Sequence, residues 1–193
     1  KIRERRETGQ SCGFEIEIPK KAEKEISFVC SFEENIDQIN VKKLIENEIV
    51  RQNEIYNKSL LIDNRKEKKT KKQLEEEQLI KDFITATDNF VVYRPSFRLH
   101  TLLAGYPWFL DWGRDSLISF EGLLLVTKRF DIAKEVLQTL VRDIKFGLVP
   151  NGYSGFDNRP LYNSVDASLL LFEQIQKYVE YTEDYEFVKE NLY

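Results

Sequence analysis

Methionine is absent from the 193 residues, and cysteine and histidine are nearly so, with two and one. One His and two Cys cannot assemble a Cys/His zinc site, and two thiols make no disulfide scaffold. Glycine (8) and proline (5) are scarce, which excludes collagen-like and low-complexity chains. Long apolar runs are missing too: Gly122 to Val126 is far short of the roughly 18 to 20 residues of a membrane span, and no basic-then-apolar leader opens the chain. Neither sign of charge dominates. With 29 Lys and Arg against 33 Asp and Glu the net charge is −4, so no global positive field draws nucleic acid or acidic lipid. Gly-x-Gly-x-x-Gly and Walker loops are absent, as is calcium-loop spacing, so no cofactor or metal is implied. His100 has no Ser or Cys pattern around it to suggest a nucleophilic triad. The expected compartment is cytoplasmic, with no membrane and no nucleic-acid partner. A chain with no Met that opens Lys-Ile-Arg reads as an excerpt of a longer protein.

What is present is a globular composition: 41% hydrophobic residues, including 13 Phe and 9 Tyr, in a length suited to one domain or part of a larger one. The first third alternates at period two, with Cys12, Phe14, Ile16 and Ile18 on one face and Ile26, Phe28, Cys30 and Phe32 on another. This predicts a hairpin in which Cys12 faces Phe32, Cys30 faces Phe14, and the thiols stay free and buried. From Asn35 to about Leu61 the period becomes helical, with Val41, Ile45, Ile49, Gln52 and Tyr56 on one stripe. The basic block Arg65 to Lys72 precedes Glu75, Glu76 and Glu77 and reads as a solvated loop leading into a helix.

That second helix is predicted from Gln73 to Val92, with Leu79, Phe83, Ala86 and Phe90 on its core stripe beside Ile80 and Ile84. A non-helical stretch follows, Tyr93 to Gly113. Helices from Asp115 to Lys128 and from Asp166 to Tyr181 are apolar almost all round, whereas Ile132 to Phe146 is amphipathic. A last helix begins near Asp184. Buried and half-buried helices therefore alternate, which predicts a mainly α chain in two helical layers, with loops at one end lining a cavity. The Ile132 helix is expected to be the most exposed of the three.

The segment that carries chemistry is Gly105-Tyr106-Pro107-Trp108-Phe109-Leu110-Asp111-Trp112-Gly113-Arg114-Asp115. Flat indole rings stack on the C–H faces of a pyranose, while an Arg and carboxylates make paired hydrogen bonds to hydroxyls, so carbohydrate is the chemical inference. A packing explanation stands beside it, with Asp115 as an N-cap, Arg114 as a bridge between helices and the indoles in the core.

On these residues, roughly from Asn89 to Tyr193, the chain resembles the glycogen debranching enzymes through their amylo-α-1,6-glucosidase domain. The resemblance rests on Ala104 to Phe109 running into Asp111 to Asp115, on Gly122-Leu123 with Thr127-Lys128-Arg129, on Gly147-Leu148-Val149-Pro150-Asn151, and on Tyr162-Asn163-Ser164-Val165-Asp166-Ala167. Pro107, Lys128 and Leu171 depart from the family's pattern. The resemblance implies the N-terminal part of an (α/α)6 toroid over 73–193, preceded by a linker helix and charged loop over 35–72. Before those, 1–34 would be the end of a β-rich N-terminal domain.

The resemblance further implies an inverting glycoside hydrolase acting on glycogen or another branched α-glucan. Arg114 and Asp115 would bind sugar hydroxyls, and Trp108, Asp111 and Trp112 would shape the same subsite. Asn151, Asn163 and Asp166 would lie on neighbouring loops at the same end. The acid and base would lie beyond residue 193, so no catalytic residue is assigned within the chain. Two alternatives stay open: another glucoamylase-like α-glucosidase or trehalase, and a noncatalytic glucan-binding helical module.

Overall fold

The computed structural model describes residues 3–5, 13–15, 18, 23, 25–27, 29, 39–62, 69–105, 109–154 and 157–192. Two compact units divide the chain at residue 47. In the first, β1 (Arg3–Arg5) pairs antiparallel with β2 (Gly13–Glu15), Glu4 lying opposite Phe14. The period-two pattern therefore marks a strand at 13–15, but its partner is upstream, and 25–27 and 29 form no strand. Alternation identifies which residues share a face and says nothing about which neighbour supplies the hydrogen bonds. The side chains of Cys12 and Cys30, and with them the free-thiol expectation, lie outside the described residues.

Helix α1 (Val41–Lys58) starts where Asn40 Oδ1 accepts the Lys43 N–H at 3.1 Å. Its expected stripe does not form a core: Ile45 and Ile49 are half-exposed, and no residue of α1 is buried. Polar groups in its part beyond residue 47 bond within the second unit, Arg51 and Gln52 to Asp88 and Tyr56 Oη to Glu77 at 2.9 Å. Helix α2 (Lys71–Asp88) opens on a reciprocal capping box between Thr70 and Gln73. Lys71 and Lys72 are solvated, each 3.7 Å from the Glu four residues on, as expected of the block's end. The inward face of α2 is Ile80, Ile84 and Thr87, whereas Leu79 and Phe83 are exposed, a rotation away from the predicted stripe.

The helix also stops early. Asn89 and Phe90 turn the chain into β3 (Val91–Arg94), which pairs with β4 (Leu99–Leu102) across the turn Pro95-Ser-Phe-Arg98. Two four-residue runs rich in β-branched, aliphatic and aromatic residues flank a Pro-containing turn, a hairpin pattern that begins in the expected end of the second helix and continues into the stretch expected to be non-helical.

Helix α3 (Gly113–Phe120) passes directly into a π-helical turn (Glu121–Leu125), so the helix begins two residues before Asp115 and Asp115 is not its N-cap. The π turn leaves the Leu123 carbonyl to other donors, and Thr127 Oγ1 (2.7 Å) and Arg129 Nη2 (2.6 Å) fill that role. Lys128 then takes a left-handed φ of +55°, which is the reason a glycine suits this position. Helix α4 (Phe130–Arg142), the short pair β5 (Gly152–Tyr153) and β6 (Pro160–Leu161), helix α5 (Asp166–Thr182) and helix α6 (Tyr185–Asn191) complete the unit. Asp184 caps α6 through the Phe187 N–H at 3.0 Å.

The core gathers Leu102, Leu117, Phe120, Leu125, Leu137 and Tyr178, drawn from β4, α3, the π turn, α4 and α5. The expected order of burial is not observed. Helix α4 buries Ala133, Val136, Leu137, Thr139 and Leu140, while α5 leaves Leu169 and Phe172 more than 70% exposed. The reason is lateral cover: β4, α5 and the π turn all pack on α4, so its amphipathic sequence is enclosed by more neighbours than its pattern announces. The described residues are thus mainly helical with three short antiparallel pairs.

Candidate functional site

Helix α3 can begin at Gly113 because that residue has no side chain. A Cβ there would stand 2.2 Å from the Pro150 carbonyl oxygen, while the Gly113 N–H donates to the Asn151 carbonyl at 2.9 Å. Asn151 is the hub of this junction. Its Oδ1 accepts the Arg114 N–H (3.2 Å), its Nδ2 donates to Asn163 Oδ1 (2.9 Å), and its own N–H donates to the Leu161 carbonyl (2.7 Å). The same loop is tied to α5, since the Val149 N–H donates to Ser168 Oγ at 3.0 Å. The loop 149–151 therefore holds the N-terminal ends of α3 and α5 side by side.

Between those ends Arg114 Nε lies 2.9 Å from Asp166 Oδ2. The pair is about half-exposed, so its groups remain within reach of a solute. The Ser164 hydroxyl bonded to Asp166, and after it the Arg114 charge, hold the Asp166 carboxyl below its ordinary value. A carboxylate kept ionised accepts hydrogen bonds and is not poised to donate a proton at neutral pH. Four of the motif residues, Arg114, Asn151, Asn163 and Asp166, are thus brought together.

The other motif residues are placed differently. Trp112 packs its ring over Gly152, where an added Cβ would be 3.3 Å from the indole. Trp112 and Asp115 also border a cavity of about 630 Å³, whose remaining wall includes Phe90, Leu102, Ala104 and Phe109. That volume is in the range of small-molecule pockets, with apolar walls and a few polar groups at the rim. Asp111 turns away from the polar cluster: it is 3% exposed and bonded to the Arg94 guanidinium. Its Oδ1 has no hydrogen-bond partner among the described residues. Trp108 lies outside the described residues.

Arg94 is the residue that motif reading missed. Seventeen positions before Asp111 and at the end of β3, it carries no local signal, and only the hairpin brings it to the loop. The apolar wall from β4 was missed for the same reason. Among the described residues no group of three His, Cys, Asp or Glu side chains converges as metal ligands would. No described helix is long and apolar enough to cross a membrane. Chemically, the polar cluster offers charged and amide donors and acceptors, and the cavity offers an indole and Phe rings with the Asp115 carboxylate among its lining, features suited to a polyhydroxylated ligand with apolar faces.

Comparison with known proteins bears on the same residues. A family model described as amylo-alpha-1,6-glucosidase matches residues 85–193, from the end of α2 through the cluster and α6. A glycogen debranching enzyme of Saccharomyces cerevisiae is 38% identical over 90 residues, which cover 44% of this chain and 6% of that relative. The chain therefore spans a small part of that relative's length, and on the family match it belongs to the amylo-alpha-1,6-glucosidase family.

Proposed function

We propose that this chain is the substrate-binding part of a glycogen or α-glucan debranching enzyme that hydrolyses α-1,6-glucosidic branches with inversion. In this reading 73–193 forms the first part of an (α/α)6 toroid, and Arg114, Asn151, Asn163 and Asp166 hold sugar hydroxyls at its open end. Trp112 and Trp108 supply stacking faces, and Asp115 works from the rim of the cavity. Inversion needs one carboxylic acid to protonate the leaving oxygen and a second carboxylate to activate water across the ring. Asp166 is held ionised by Ser164 and Arg114, and Asp111 is buried against Arg94, so neither suits the acid. The acid and base would then come from other parts of the full-length protein.

The observation that carries this reading is the meeting of Arg114 with Asp166, Asn151 and Asn163 at the paired N-terminal ends of α3 and α5. The test is glucose release from a branched α-glucan by the full-length protein, by its Arg114→Ala variant and by the 193-residue chain, with thermal melts alongside. Loss of charge-assisted bonds to hydroxyls is expected to remove about 1.5 to 3 kcal/mol, roughly ten- to a hundredfold in kcat/KM. Arg114→Lys should recover only part of this, because an ammonium lacks the planar fork. The chain alone should release no glucose. A fully active Arg114→Ala enzyme would return Arg114 to a helix-bridging role, and glucose release by the chain would place acid and base within it.

A further inference from the structure

Arg94 joins three segments that are distant in sequence. It stands at the end of β3, and Nη1 bonds to Asp111 while Nη2 donates to Asn158 Oδ1 at 2.7 Å. The guanidinium lies 4.5 Å from the Phe97 ring centroid and 5.5 Å from that of Tyr153, and these two rings meet edge to face at 4.7 Å. Both rings are fixed in turn. Arg142 lies 4.5 Å from the Phe97 centroid, and Tyr153 Oη bonds to the Thr139 carbonyl and to Asp143 Oδ2. The Arg94 side chain is 16% exposed, so it has little freedom to adopt another rotamer.

Asp111 is one peptide from Trp112 and three residues from Arg114. Its backbone carbonyl lies beside Gly152, against which Trp112 also packs, and Gly113 closes on Pro150 and Asn151. Besides the Ala104 N–H bond to the Leu110 carbonyl at 3.1 Å, the turn that aims Trp112 and Arg114 has two fixed points. One is the backbone contact at Gly113, and the other is the Arg94–Asp111 ion pair. Nothing in the motif or the family match assigns a role to Arg94.

We propose that Arg94 is a positioning residue for the sugar site: it anchors Asp111 and thereby sets the direction in which Trp112 and Arg114 leave the turn. This inference rests on the glucan-binding reading above. Arg94 acts without touching the sugar, through a planar cation held by a carboxylate, an amide oxygen and two aromatic rings. A lysine can keep the ion pair with Asp111, but not the bond to Asn158 or the stacking at the same time. Asn158 has a left-handed φ of +56°, so Asn158→Gly deletes one anchor of Arg94 while preserving the backbone.

The experiment is a double-variant cycle in the full-length protein, with kcat and KM for glucose release from a branched α-glucan and a melting curve for each variant. Arg94→Lys is expected to lower kcat/KM by about tenfold, and Asn158→Gly by about threefold, with melting little changed in the latter. The decisive variants are Arg94→Lys with Arg114→Ala and Asn158→Gly with Arg114→Ala. If Arg94 works by aiming Arg114 together with Trp112, each double variant loses less than the product of its two single losses, because the part exerted through Arg114 is already gone. Losses that multiply would overturn the positioning role, as would an Asn158→Gly enzyme with unchanged kcat/KM. Should Arg94→Lys fail to fold, the Asn158 cycle alone decides. A wild-type protein that releases no glucose would instead overturn the glucan reading and remove the inference with it, whereas an active wild type with multiplicative losses would leave the function standing without Arg94.

Discussion

Gly113 and Lys128 are opposite cases of what a single backbone position demands. At Gly113 the constraint is space, because a methyl group would penetrate the Pro150 carbonyl at 2.2 Å. Gly113→Ala should therefore cost about 1 to 3 kcal/mol through forced displacement of the 149–151 loop, read as a lowered denaturation midpoint. On the proposed glucan-binding reading it should also weaken glucan binding, because Arg114 is the next residue. At Lys128 the constraint is the dihedral angle: φ of +55° in an exposed side chain is unfavourable for any L residue. Lys128→Gly should stabilise by about 0.5 to 1 kcal/mol, the relief exceeding the added backbone entropy. A lower melting temperature for that variant would mean the lysine makes a compensating contact. Neither property is visible in hydrophobic periodicity, although Gly113 closes the stretch expected to be non-helical.

The helices owe their starts to specific caps and their burial to neighbours. Thr70 and Gln73 close a capping box at α2, so Thr70→Ala should cost about 1 kcal/mol, seen as roughly 2–4 °C in melting. At α6 the cap is Asp184, whose carboxyl is held below its ordinary value by Lys134, 2.6 Å away, and then by the Phe187 N–H. A carboxyl depressed in the folded state contributes stability that is present above its unfolded value near 3.8 and is lost as pH falls through the lower folded value. Acid unfolding monitored with Asp184→Asn should show a weaker pH dependence below about pH 4 than the parent protein. Pattern reading located the starts of α5 and α6 closely, since Asp166 and Asp184 are boundary residues of recognisable type. It overran α2 because Asn89 to Val92 continues the apolar spacing. Only pairing with β4 reveals that Val91 and Val92 belong to a strand.

The second unit is tied together across long sequence separations by buried or half-buried cations. Arg129 is the clearest: its side chain is 8% exposed and bonded to Asp88, Thr87, Thr127 and the Leu123 carbonyl. Burial pulls its pKa down, while Asp88 opposes that shift. Asp88→Ala should therefore destabilise by about 3 kcal/mol, because it strands a buried cation, whereas Asp88→Asn keeps an acceptor and should cost less. Chemical denaturation of the three proteins gives the comparison. The helical composition, the turn-rich aromatic segment and the ordered motifs of the family were all legible from the chain, because helix period, glycine and proline placement, and residue spacing are local properties. The resemblance to the family, rather than local pattern, put Arg114, Asn151, Asn163 and Asp166 at one expected end, and these four side chains or their backbones do meet. Tertiary structure alone decided that Asp111 faces Arg94 rather than that cluster, that Trp112 and Asp115 border a cavity walled by β4, and that α4 is as enclosed as its neighbours. Each of those outcomes depends on which distant segment packs alongside, and a one-dimensional pattern encodes the face a residue shares but not the partner that covers it.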